Sequence, residues 1–180
     1  IATHLIQFAE YPVSSRILLN LHSRHRKLLA TKDSHAQRLA TILDRKLDPM
    51  TQKLLVNDLK SSETSRQQNA AQLLGSLGQV TLSLLIDIIK KEEDFRVRQI
   101  SASLLGEMGP EAAELLKREL MLEGTTAERI RILEVIDTVT RDLKTELAFA
   151  MSDETPEVRQ TAFQLAERLN NSQVVELLLD

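Results

Sequence analysis

The chain is expected to fold as an all-α protein, an α-solenoid of stacked antiparallel helix pairs wound into a right-handed superhelix. Three observations predict it. The apolar mass is leucine, isoleucine, valine and alanine, with only 3% aromatic residues, no Trp and one Tyr, a balance that favours helices over sheet sandwiches. The pattern Leu-Leu-Gly-x-x-Gly stands at residues 73–78 and again at 104–109, a shift of 31. Turn signals then divide each interval into two helix-length pieces, and internal periods of this size mark stacked repeats.

In chain order, helices are expected at 2–10, 13–30, 34–47 and 50–60, with Pro12 and Pro49 at breaks. The repeat then becomes legible. Arg66 to Gly78 aligns with Val97 to Gly109, and later copies open at Ile130-Arg131 and Val158-Arg159 but lack both glycines. Second helices are expected at 79–91, 110–121, 142–151 and 172–179. Gly78 and Gly109 fall where a first helix must stop in a left-handed residue, and Pro110 suits the first turn of the next helix. Gly75 and Gly106 lie inside helices, where a missing side chain costs about 1 kcal/mol unless a neighbouring helix packs closely at that point. Thr155-Pro156-Glu157 reads as a helix start, and Thr126 with Glu128 as a weaker one. Residues 1–61 are thus an N-terminal segment of atypical repeats and 62–180 the repeat array, together one continuous domain. Because it opens at Ile1 without Met, the chain is read as a piece of a larger protein.

Val97-Arg98 before a small-residue run and Leu-Leu-Gly, and Asp153-Glu-Thr-Pro-Glu-Val-Arg159 before Ala162, resemble HEAT repeats, particularly the bacterial phycobilisome-lyase-like subtype. The resemblance covers 62–122 and 152–180 best. It implies an α-solenoid whose second helices line a concave surface, with the family arginine at Arg98, Arg131 and Arg159. Gln67 departs from the pattern and is expected to interrupt whatever ladder that arginine builds.

Composition removes several chemistries. With no Cys there are no disulfides, thiolate nucleophiles or Cys-ligated zinc, and the expected setting is cytoplasmic. The longest apolar run, Val80 to Ile89, is ten residues with three polar positions, so no membrane insertion is expected. His22 and His25 have a chelating spacing, but His25 sits in a stripe of Ile17, Leu18, Leu21, Leu28 and Leu29, flanked by arginines that repel a cation. They read as packing residues. HEAT-like hydroxylases hold iron with His-Glu dipeptides, and this chain has none. Carboxylate pairs such as Glu111 with Glu114 read as solvated faces, and no nucleophile elbow, P-loop or dinucleotide fingerprint occurs. No catalytic residue, metal or cofactor is expected.

The net charge of −3 conceals a basic first third: residues 1–60 carry ten Lys plus Arg against five acids. Within it Arg16, Arg24, Arg26 and Lys27 form a basic patch that could meet phosphate, although aromatic stacking partners are missing. The favoured reading is a non-catalytic scaffold binding another protein through the ridge of second helices. Asp87, Lys90, Lys91, Glu114, Lys117, Arg118, Lys144, Thr145 and Phe149 fall off the apolar stripes there. A nucleic-acid-binding solenoid using the basic third, and a HEAT-like chromophore lyase or isomerase, rank below it. The apolar ending Val174 to Leu179 suggests an uncapped repeat that a further repeat or a homodimer would cover.

Overall fold

The computed structural model describes residues 11–30, 35, 47–122 and 124–169, and all of the regular structure among them is helical, without strands. Helices expected at 2–10 and 172–179, most of 34–47, and the apolar end proposed for dimer formation lie outside the described residues. The chain divides into two compact units, Ile1–Leu84 and Leu85–Asp180. The change of character expected at 61/62 therefore falls inside the first unit.

In the first unit, α1 (Tyr11–Ala30) and α2 (Pro49–Leu59) each pack on α3 (Thr64–Leu77). Pro12, expected at a break, is the second residue of α1, where a missing N–H is tolerated. Asp48 caps α2: its carboxylate accepts from the Thr51 N–H at 3.0 Å and the Thr51 hydroxyl at 2.6 Å, and Pro49 follows at the first turn. Those bonds, the hydroxyl first, hold the Asp48 carboxyl below its ordinary range. Thr51, Leu55 and Leu59, spaced by four, form the buried stripe of α2.

Helix α3 buries Ala70, Leu73, Leu74 and Leu77 and stops at Gly78, whose φ is 57°. Gly75 lies within α3, half-buried. A 3-10 turn (Gly78–Thr81) follows, in which the buried Thr81 hydroxyl donates to the carbonyls of Gly78 and Leu74. The second helix thus starts at Leu82, three residues later than expected, as α4 (Leu82–Lys91). By length and composition the stretch Thr64–Lys91 could cross a bilayer, its most apolar 18-residue window having a mean hydropathy of 1.5, a possibility that the ten-residue run Val80 to Ile89 did not suggest. Half of that window is buried, and the left-handed Gly78 ends its first α-helix midway.

The second unit continues through α5 (Phe95–Glu107), α6 (Pro110–Met121), α7 (Thr126–Leu133), α8 (Ile136–Val139), α9 (Lys144–Met151) and α10 (Pro156–Leu169). First helices pack side by side, α5 on α8 and α7 on α10, while α6 packs on α9. Gly106 shows why a glycine interrupts α5: a Cβ there would stand 3.3 Å from the Thr138 carbonyl oxygen of α8. Gly109, at φ 94°, makes the left-handed stop before Pro110.

The third first-helix is broken. Ile130, Ile132, Val135, Ile136, Thr138, Val139 and Thr140 give it a β-branched sequence of modest helix propensity. The chain turns at Glu134–Val135 between α7 and α8, and the Leu133 and Glu134 carbonyls accept from Arg168 of α10 at 3.3 and 3.4 Å. Its start is stronger than the sequence suggests. Thr125, not Thr126, is the cap, and a reciprocal box pairs its hydroxyl with the Glu128 N–H and the Glu128 carboxylate with the Thr125 N–H.

Candidate interaction surface

Three second helices of the repeat, α4, α6 and α9, carry the residues singled out for partner binding. Their inward faces are apolar: Leu85, Ile86, Ile88 and Ile89 on α4, Ala112, Ala113, Leu116 and Leu120 on α6, Leu147 and Ala150 on α9. Terminal charges agree with the helix dipoles, with Lys90 and Lys91 in the last turn of α4 and Glu111 and Arg118 at opposite ends of α6. Helix α9 starts at Lys144 rather than 142.

Asp87, Lys91, Glu114, Arg118, Lys144, Thr145 and Phe149 are exposed. Lys90 and Lys117 are not free ridge residues. Lys90 reaches across to Glu119 of α6 at 2.7 Å, and Lys117 reaches Glu146 of α9 at 3.4 Å while also bonding Glu114 at 3.1 Å. The Glu119 hydrogen bond raises the Lys90 pKa. For Lys117, burial works against the charge, but bonds and charges from Glu114 and Glu146 outweigh it and the pKa still rises. Both pairs span 29 residues because Lys-x-Glu recurs every 27, at Lys90-Lys91-Glu92, Lys117-Arg118-Glu119 and Lys144-Thr145-Glu146. That recurrence was the available sequence signal for the ladder, and the Leu-Leu-Gly alignment passed over it.

Arginines organise the turns that lead from each second helix into the next first helix. Arg98 is 5% exposed, donates to the carbonyls of Glu92 and Glu93 at 3.0 and 2.7 Å, pairs with Glu134 and lies over the Phe95 ring. Arg159 repeats the motif on the Asp153 and Glu154 carbonyls at 2.7 and 3.0 Å. Arg131 does not. Its guanidinium bonds the Lys90 carbonyl, 41 residues back, and Arg129 instead holds its own preceding turn through the Gly124 carbonyl at 2.9 Å. In this copy the turn-holding part played by Arg98 falls to Arg129, 31 residues on. Gln67, one step earlier, still donates to the Leu59 carbonyl at 2.8 Å, so the expected interruption is a weakening.

Arg129 also faces Asp153 at 2.9 Å. Through Arg129 and Arg131, α7 is tied to the turns after α4, α6 and α9, which places those three turns along one edge of the second unit. On that edge an open groove of about 660 Å³ is lined by Arg129, Ala148, Phe149, Ser152, Asp153 and Glu154, among others. Phe149, exposed to 39%, is its one aromatic residue.

In the first unit Arg16, Arg24 and Lys27 of the basic patch are exposed, His25 is half-buried, and the side chains of Arg26 and His22 lie outside the described residues. No protein-family model matches the chain, and no curated protein matches it.

Proposed function

We propose that this chain is a non-catalytic HEAT-like α-solenoid, right-handed and cytoplasmic, that binds another protein along the ridge of its second helices. Side-by-side packing of first helices on first helices, with α6 on α9, supports the stacking. The observation that carries the reading is the lysine–glutamate ladder. It spends Lys90 and Lys117 on holding consecutive second helices together and leaves Asp87, Lys91, Glu114, Arg118 and Thr145 exposed beside them. A surface of fixed spacing with alternating charge selects partners by complementarity and encounter rate more than by apolar area.

A photo-crosslinking amino acid at position 118 or 145, compared with one at exposed Gln164 on α10, tests it. Adducts with a single partner protein from 118 and 145, but not from 164, are expected. Adducts at 164 alone, or none from the ridge, reject it.

A further inference from the structure

The edge built by the three turns has its own chemistry. Six large apolar residues are exposed among the described ones, and four of them, Phe95, Met121, Leu122 and Phe149, lie at this edge. Three recur at the period of the lysine–glutamate ladder: Phe95, Leu122 and Phe149 are 27 apart, each five residues beyond Lys90, Lys117 or Lys144. Their exposures are 42%, 50% and 39%: Phe95 opens α5, Leu122 closes α6 and Phe149 lies in the last turn of α9, so an apolar side chain meets solvent near the end of each of the three second helices.

Charge around that row is predominantly acidic. Segments 92–95, 124–128 and 152–157 hold seven carboxylates and no lysine or arginine. The nearest arginines of the turns are occupied, since Arg98 and Arg159 hold carbonyls and Arg129 and Arg131 tie the turns together; the exposed cations beside the row are Lys91, paired with Asp87, and Arg96, 3.8 Å from Asp94. Beside Phe149 the groove offers a concave seat walled by Asp153 and Glu154. Apolar anchors within a carboxylate rim suit a ligand of the reverse design.

We propose that this edge docks a basic amphipathic segment of another protein, one whose large apolar side chains sit on Phe149, Leu122 and Phe95 while flanking lysines or arginines meet Glu93, Asp94 and Glu154. The surface lies at the ends of the second helices, next to Lys91 of the ridge, and holds whether or not the ridge binds a partner.

The probe is a fluorescein-labelled peptide of leucines and lysines in helical spacing, titrated by anisotropy, with a leucine–glutamate peptide as its counterpart. Saturable binding of the lysine peptide alone is expected. The Leu122→Ser/Phe149→Ser pair and the Glu93→Lys/Glu154→Lys pair should each weaken it about tenfold. Glu107→Lys/Glu111→Lys, at the other ends of α5 and α6, makes the same charge change and should weaken it less than about twofold. All substituted residues are exposed, and far-UV circular dichroism confirms that each variant is folded. Absence of saturable binding, equal losses in the two charge-reversal pairs, or an unaffected serine variant would overturn the proposal.

Discussion

Gln67 in the first unit and Arg98 in the second stand at the same register of two successive first helices, 31 residues apart. Gln67 makes a single bond, to the Leu59 carbonyl. Arg98 takes two carbonyls, an ion pair with Glu134 of the neighbouring first helix, and the face of Phe95. The shared task is to satisfy backbone acceptors in the turn before the helix, which would otherwise lack partners. The guanidinium adds a second: its spare fork reaches the next helix. Local turn order and inter-helix attachment are thus separable functions of one position.

Removing both at once should give the largest effect. Arg98→Ala deprives two carbonyls and Glu134 of a buried charged donor, and about 3 kcal/mol of unfolding free energy should be lost in urea denaturation. Arg98→Gln should recover part of it by restoring a carbonyl bond. If glutamine is no better than alanine, turn satisfaction is not what the position supplies.

The ladder on the second helices offers a cleaner separation, because Lys117 has no turn to hold. Its side chain is 11% exposed and that of Glu146 9%, so Lys117→Met leaves a nearly buried carboxylate unpaired and should cost about 2 kcal/mol. Lys91→Met, which removes an exposed pair with Asp87, should cost less than about 0.5 kcal/mol. The pH dependence has a definite sign. Lys90 and Lys117 have raised pKa values when folded, so their contribution is complete below the ordinary lysine value of 10.5 and is lost as pH climbs past the folded values. Thermal melts taken from neutral pH to above 10.5 should converge for wild type and Lys117→Met.

A smaller effect belongs to the copy in which Arg129 holds the turn. Thr125→Ala should cost about 1 kcal/mol by opening the capping box. The Thr125 N–H holds the Glu128 carboxyl below its ordinary value of 4.5, against burial and with help from the hydroxyl and Lys90. That contribution is present above 4.5 and disappears as pH falls through the lower folded value. Alanine keeps that N–H, so only the hydroxyl's bond to the Glu128 carboxylate fades in acid: acid titration of helicity should bring wild type and Thr125→Ala slightly closer, while the lost bond to the Glu128 N–H keeps them apart.

What the sequence made legible was the chemistry that acts over a few residues. The left-handed stops at Gly78 and Gly109 and the span 110–121 with Pro110 at its start follow from local constraints on the backbone, and at Gly106 the local cost of a glycine inside a helix pointed to a close neighbour without saying which. Aligning Ile130-Arg131 with Val97-Arg98 pointed to Arg131, whereas the residue that holds the preceding turn is Arg129, 31 residues after Arg98. Lys90 and Lys117 looked free because their partners lie on another helix, 29 residues on. Phe149 was visible as an apolar residue off its helix stripe, whereas Phe95 and Leu122 flank turns, where helical periodicity has nothing to say about exposure.

A change at Gln67 itself gives the comparison its sharpest form. Gln67→Ala should cost about 1 kcal/mol, the ordinary value of one neutral hydrogen bond in a half-buried setting. Gln67→Arg should leave stability within about 0.5 kcal/mol of wild type, because the longer side chain can still reach the preceding turn and its charge can remain in solvent. A gain well beyond that would mean the arginine had found an attachment like that of Arg98 to Glu134, and the two functions would not be separable at this register. A loss as large as that of alanine would mean the bond to the Leu59 carbonyl depends on the amide's own length and shape, so that Gln67 is a replacement fitted to its turn and not a weakened copy of the arginine.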